Sequence, residues 1–144
     1  MTRPSTLVVG WREWVTLPDL GGVVLKAKVD TGARTSSLHA TDIEVGDEHV
    51  VFTLHPHQRS PDDAVRVSAR LVAHRVIRPS SGHADERPVV RTTVVLHGRR
   101  WTIDLTLADR SVMGFRMLLG RVALHRRFLV DPGASYLSGH PDQT

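Results

Sequence analysis

The chain has 144 residues, with 19 Lys+Arg against 15 Asp+Glu and a net charge of +4. That length suits one domain spanning residues 1–144, able to bury roughly 68–70% of its unfolded surface without staples. The absence of cysteine excludes disulfides, thiolate metal sites and a cysteine nucleophile, and 40% apolar with 24% charged residues excludes a disordered chain. No apolar run approaches the ~20 residues of a spanning helix, and residues 1–10 lack the pattern of a signal peptide, so a cytoplasmic protein is expected.

Hydrophobicity alternates with a period of two along most of the chain. Leu25, Ala27 and Val29 alternate with Lys26, Lys28 and Asp30, as in a half-buried strand. Val50, Phe52 and Leu54 repeat the pattern after a Gly46-Asp47 turn, which predicts a hairpin over residues 38–54. Residues 55–63 hold two prolines and read as a loop. Val65, Val67, Ala69, Leu71 and Ala73 mark a further strand. Strands over 89–96 and 101–107 flank His97-Gly98-Arg99 as a second hairpin, with Trp101, Ile103, Leu105 and Leu107 on one face and Thr102, Asp104 and Thr106 on the other. One short helix is predicted over 121–127, followed by an apolar Phe128-Leu129-Val130 strand and a polar tail over 138–144. Trp11, Trp14 and Trp101 are expected as core or interface anchors. The chain reads as all-β, a barrel or a sandwich.

The basic balance, with a sequence pI of about 10.6, fits an acidic partner. Its arginines are scattered rather than run together, and aromatics are only 5%, which argues against a nucleic-acid surface.

One segment differs in kind. Lys26-Ala27-Lys28-Val29 runs straight into Asp30-Thr31-Gly32-Ala33, so an acid stands where a strand ends, held by a sheet yet free to face a cleft. Gly32 permits close approach of backbone and ligand. An Asp-Xaa-Gly alone is equally an ordinary turn. The second signal is Met117-Leu118-Leu119-Gly120-Arg121, an apolar strand closed by glycine just before the predicted helix.

These two motifs, in this order within an all-β chain, resemble the retropepsin-like aspartic proteases. The resemblance covers about residues 24–136. It is closest to a bacterial and archaeal branch labelled ATP-dependent zinc protease, whose members read much like residues 28–39, Glu86-Arg87-Pro88-Val89-Val90, Thr106-Leu107-Ala108-Asp109-Arg110 and residues 117–124. Members are often associated with ligases that add glutamate to peptides or proteins. The resemblance implies a closed β-barrel of the acid-protease fold with one short C-terminal helix. It also implies catalysis by Asp30, Thr31 and Gly32 with no metal or cofactor, and support of that loop from beneath by Leu118, Leu119, Gly120 and Arg121. The chain has one such Asp, since Asp131-Pro132-Gly133 and Asp19-Leu20-Gly21 lack the hydroxyl of Thr31. Two copies of Asp30 are therefore expected to meet in a homodimer, where isologous contact pairs like residues.

Substrate contacts are expected from Ala33, Arg34, Ser81 and Gly82. Ser81 and Gly82 fall in residues 78–88, which occupy the place of the family's flap but also read as a long surface loop. Many retropepsins carry an acid where Arg34 stands, and that acid pairs with the arginine after the later glycine. Here Arg34 and Arg121 cannot pair, so the partner of Arg121 is left open, and Arg34 points either to an anion-binding cleft or to solvent. Glutamate-rich peptides are the expected substrates. The zinc label finds little support: no His-Glu-Xaa-Xaa-His and no phosphate-binding Gly-rich loop is present, although His55, His57, His74 and His83 leave a metal-dependent hydrolase as an alternative. A catalytically silent peptide-binding barrel is another.

Overall fold

The computed structural model describes residues 6–56, 63–77, 85–109 and 114–141. Its elements, in chain order, are β1 (Leu7–Leu17), β2 (Val23–Asp30), β3 (Ser36–Val45), β4 (His49–Leu54), β5 (Val65–Ile77), β6 (Asp85–Leu96), β7 (Arg99–Ala108), β8 (Met117–Gly120), α1 (Arg121–Leu124) and β9 (Phe128–Ser135). Both predicted hairpins form. The β6–β7 turn places His97 at φ 56° and Gly98 at φ 76°, the left-handed pair that a tight two-residue hairpin requires. The helix is shorter than predicted: it ends at Leu124, and Arg126 already has φ 63°.

The strands form one sheet in the order β4-β5-β6-β7-β3-β8-β2-β1-β9, and extra β4–β3 and β6–β1 pairings bring it back on itself. Three pairs are parallel: β1 with β9, β2 with β8, and β3 with β7. The enclosed core is apolar, with Val9, Leu25, Leu38, Phe52, Val90, Leu105 and Leu119 among its members. The alternation read from β2 holds, since Leu25, Ala27 and Val29 are buried while Lys26 and Lys28 are exposed. β7 departs from it at Thr106, which is buried although it shares a face with exposed Thr102 and Asp104. Trp101 is half-buried, packed on Phe128 with ring centres 5.5 Å apart. Trp11 and Trp14 are also half-buried. Trp14 stacks on Tyr136 at 5.7 Å, and Trp11 meets Phe115 edge-on at 5.8 Å. Among the described residues no helix is long and apolar enough to cross a membrane.

β1 is the strand that alternation does not reveal, because one of its inward positions is charged. Glu13 is fully buried. Its Oε2 accepts from the Gly10 N–H at 2.7 Å and the Leu137 N–H at 2.9 Å. Its Oε1 accepts from the Ser138 N–H at 3.1 Å and the Ser138 hydroxyl at 2.8 Å. One carboxylate thus satisfies three backbone donors and ties the C-terminal segment to β1. Gly10 is required there, since an added Cβ would lie 2.2 Å from the Ala134 carbonyl oxygen.

A second buried polar group is His39 on β3, only 3% exposed. Desolvation lowers its pKa from the ordinary 6.5, aided by the nearby Arg116 charge and opposed by Asp109, whose Oδ1 lies 3.8 Å from Nδ1.

Two predictions follow from these groups. Glu13→Ala strands three backbone donors and should lower unfolding free energy by about 2–4 kcal/mol, read by urea denaturation, whereas an exposed carboxylate such as Glu44 should cost under about 0.5 kcal/mol. For His39, the unfolded chain takes up the proton more readily than the folded one. Its contribution to stability is therefore complete above about pH 6.5 and declines as pH falls below it. Urea midpoints should drop more steeply between neutral and mildly acid pH in the parent than in His39→Gln; parallel slopes would contradict this.

Candidate active site

β2 ends at Asp30 between two neighbours. On one side β8 runs parallel to it, with Val29 opposite Leu119 and Asp30 opposite Gly120; on the other side lies β1. Beyond Asp30 the chain turns, and the Ala33 N–H donates to the Asp30 carbonyl at 3.2 Å. The Gly32 N–H donates to Asp30 Oδ1 at 3.0 Å, which fixes the carboxylate's orientation from its own loop. Asp30 is half-buried, whereas Thr31 and Gly32 are exposed at the loop tip. The carboxylate is thus anchored by sheet and loop while remaining accessible.

The loop is gripped from the far side by the start of α1. A helix leaves its first N–H groups without intrahelical acceptors, and Gly120 at the N-cap has no side chain to serve them. The loop supplies the acceptors: the Arg121 N–H donates to the Ala33 carbonyl at 2.8 Å, and the Val122 N–H to the Arg34 carbonyl at 3.1 Å. The Gly120 N–H donates to Ser36 Oγ at 3.0 Å, a buried contact. Arg121, whose partner sequence left open, donates from Nη1 to the Gly32 carbonyl at 3.2 Å. A carbonyl has a second lone pair, so Gly32 can still accept from a substrate N–H. Leu119 is buried and Leu118 half-buried beneath the loop.

Asp131-Pro132-Gly133 offers an instructive contrast. The Gly133 N–H bonds Asp131 Oδ1 at 2.9 Å, the same local contact that Asp30 makes. Yet Asp131 is exposed on β9, the last strand in the sheet order, where a proline is tolerated. The Asp–Gly hydrogen bond is therefore not distinctive. The clamp by α1 and β8 is.

Ala33 is half-buried, and exposed Arg34 lines a cavity of about 540 Å³ against α1 and β7. The proposed flap residues Ser81 and Gly82, with His83, lie outside the described residues; the arms leading to them pair as far as Ile77 with Asp85. Of the histidines considered for a metal, His55 Nε2 lies 2.6 Å from Thr41 Oγ1 and His74 Nδ1 lies 3.1 Å from Glu86 Oε1. His57 also lies outside the described residues, among which no cluster of three His, Asp or Glu could hold a metal ion. Sequence reasoning missed Thr35 and Ser36. Thr35 presents its backbone to Gly120 and its hydroxyl to Arg75 Nη1, and neither role leaves a signature beyond adjacency to the loop.

Gly120 is where this packing is least forgiving. An added Cβ would lie 2.4 Å from the Thr35 carbonyl oxygen, with backbone rather than a movable side chain in the way. Gly120→Ala should cost about 1–3 kcal/mol or more and displace the Asp30 loop. Loop amide shifts in NMR spectra confined to residue 120's own neighbours in sequence, with unchanged stability, would contradict this.

A family model described as RimB-like, retropepsin-like aspartic endopeptidase RimB, matches residues 8–141. A relative from Shewanella pealeana, described as a probable alpha-L-glutamate ligase, is 42% identical over 139 residues, covering 94% of this chain and 30% of its own length. One from Desulfotalea psychrophila with the same description is 43% identical over 129 residues, covering 87% of this chain and 28% of its own length. The chain thus spans about 30% of the length of the curated relatives it matches. A crystal structure of a Legionella pneumophila protein of unknown function superposes with a TM-score of 0.79 at 28% identity, covering 93% of this chain and 99% of that one. With the match running from β1 through the tail that Glu13 holds, the chain belongs to the RimB-like family of retropepsin-like aspartic endopeptidases.

Proposed function

We propose that this chain is an aspartic endopeptidase whose active site is completed by a second copy, acting on glutamate-rich peptides. The observation that carries the reading is the Asp30 loop: a half-buried carboxylate oriented by the Gly32 N–H and clamped through Arg121 and Gly120. In this reading residues 1–144 form one domain, and the self-closing sheet is the barrel of the acid-protease fold.

One carboxylate per chain cannot both activate water and polarise a carbonyl, so two Asp30 side chains face each other. Like charges that close do not both ionise; one carboxyl keeps its proton, as in the aspartic-protease dyad. The ionised Asp30 takes a proton from a water, the resulting hydroxide attacks the peptide carbonyl, and the protonated Asp30 donates to the carbonyl oxygen. Collapse of the tetrahedral species returns a proton to the leaving amine. Thr31 at the loop tip links the two loops. The surface around it suits a second copy: Thr31, Leu129 and Pro132 line one hollow, Leu129 is 61% exposed, and among the described residues β9 is a terminal strand with one unpaired edge.

The substrate class is supported by the relatives. Proteins described as glutamate ligases contain a stretch like this chain, which is consistent with a hydrolase working on glutamate-bearing products. Arg34 beside the loop suits such carboxylates.

Asp30→Asn preserves shape but removes the base. It should reduce cleavage of acidic peptides by about 10³-fold or more with an unchanged melting temperature. Specific activity of the parent should also fall on dilution, in step with dissociation seen by sedimentation. Retained cleavage in Asp30→Asn, or full activity in a monomer, would refute the reading.

A further inference from the structure

Away from the Asp30 loop, the outer face of the sheet carries charges that the fold does not balance. Register pairing places His49 opposite Arg70, Arg70 opposite Arg91, and Arg91 opposite Asp104, so four strands present one continuous row. All four side chains are exposed. Direct cross-strand pairing of two arginines is unfavourable, and a fold under no other demand would avoid it. Arg91 finds an acid, with Nε 2.8 Å from Asp104 Oδ1 and Nη2 3.3 Å from Oδ2. Among the described residues Arg70 makes no such contact.

This row lies across two cavities that share Arg91 and Thr102. The larger, about 540 Å³, is bounded by Arg34, Arg127 and α1; the smaller, about 320 Å³, by Arg70, His49 and Asp19. Together they make a groove edged by four guanidiniums, Arg34, Arg70, Arg91 and Arg127, against two carboxylates, Asp19 and Asp104. Asp104 is already committed to Arg91. The remaining field is positive, and its forked donors match carboxylates in geometry as well as charge.

We propose that this groove is an exosite that binds an extended acidic peptide segment through its carboxylates, outside the cleft that holds the scissile bond. One end is formed by Arg34, four residues along the chain from Asp30, so the groove starts on the segment that carries the candidate catalytic loop. Side chains on one side of an extended peptide recur every ~7 Å, a spacing that lets successive carboxylates reach guanidiniums on neighbouring strands. A nucleic acid fits less well. Among the described residues the groove offers Trp101, whose ring is covered by Arg127, 5.4 Å from the centroid, and by Phe128, and the single exposed imidazole of His49. That leaves no run of aromatic faces on which successive bases could stack. The proposal deepens the peptidase reading by naming what holds the substrate's acidic part, but binding in the groove does not require hydrolysis.

The test is binding of a short fluorescein-labelled oligoglutamate peptide to the full chain carrying Asp30→Asn, followed by anisotropy at low salt. An oligoglutamine peptide of equal length should bind about tenfold or more weakly, and added salt should weaken the oligoglutamate complex. Arg70→Glu with Arg91→Glu should reduce oligoglutamate affinity about tenfold or more, while Arg100→Glu, on β7 but outside both cavities, should change it less than about twofold. Should the first pair lower the melting temperature, Arg34→Gln with Arg127→Gln at the other end decides, with a loss of the same order expected. Equal binding of oligoglutamine, or an equal loss in Arg100→Glu, would overturn the proposal. So would tighter binding of a single-stranded oligonucleotide that responds to the same substitutions. Hydrolysis surviving Asp30→Asn would defeat the peptidase reading and leave these binding results standing, so the two failures are separable.

Discussion

The arrangement of this molecule turns on one exchange of hydrogen bonds, in which carbonyls of the Asp30 loop cap the first N–H groups of α1. Each side solves a problem for the other. A four-residue helix cannot sustain itself, and its glycine N-cap has no side chain with which to satisfy the helix start. A loop that places Asp30 in reach of solvent would be mobile if its Ala33 and Arg34 carbonyls faced only water. Joining them at 2.8 and 3.1 Å gives the carboxylate a fixed position without burying it. The sheet provides the setting, since parallel pairing of β2 and β8 brings Asp30 level with Gly120, and only glycine fits against Thr35 there.

Much of this was legible in the residues, and the exceptions have physical reasons. β2, β4, β5 and the β6–β7 hairpin could be read because each has one face toward the core and one toward water. β1 could not, because its inward Glu13 interrupts the apolar pattern, and nothing local shows that Gly10, Leu137 and Ser138 will neutralise its cost. The helix was read too long because Arg126 takes a left-handed conformation that its neighbours in sequence do not announce. Motif and order singled out the Asp30-Thr31-Gly32 loop and Leu118-Leu119-Gly120-Arg121, two segments that pack against each other in the fold. The contacts of Arg121 with Gly32, and of Ser36 with Gly120, join residues 89 and 84 positions apart and depend on the packed structure.

The exchange of an acid for Arg34 changes what the site's surroundings do. Where an acid would tether Arg121, this chain turns Arg121 to a backbone carbonyl and leaves Arg34 exposed beside a cavity. The loop keeps a clamp, so the structural role is preserved by a neutral acceptor. In the proposed reading the exposed Arg34 serves anion recognition, and the adjacent Arg70 and Arg91 belong to the same proposed groove.

The central claim is that two copies of Asp30 form one site. The direct measurement is a calorimetric titration of the full chain with an acidic peptide carrying a statine-type secondary alcohol in place of the scissile bond. Such a group mimics the tetrahedral species and binds more tightly than substrate wherever that species is stabilised. The account predicts saturation at one inhibitor per two chains, with binding lost in Asp30→Asn. Saturation at one inhibitor per chain, or undiminished binding in that variant, would contradict it.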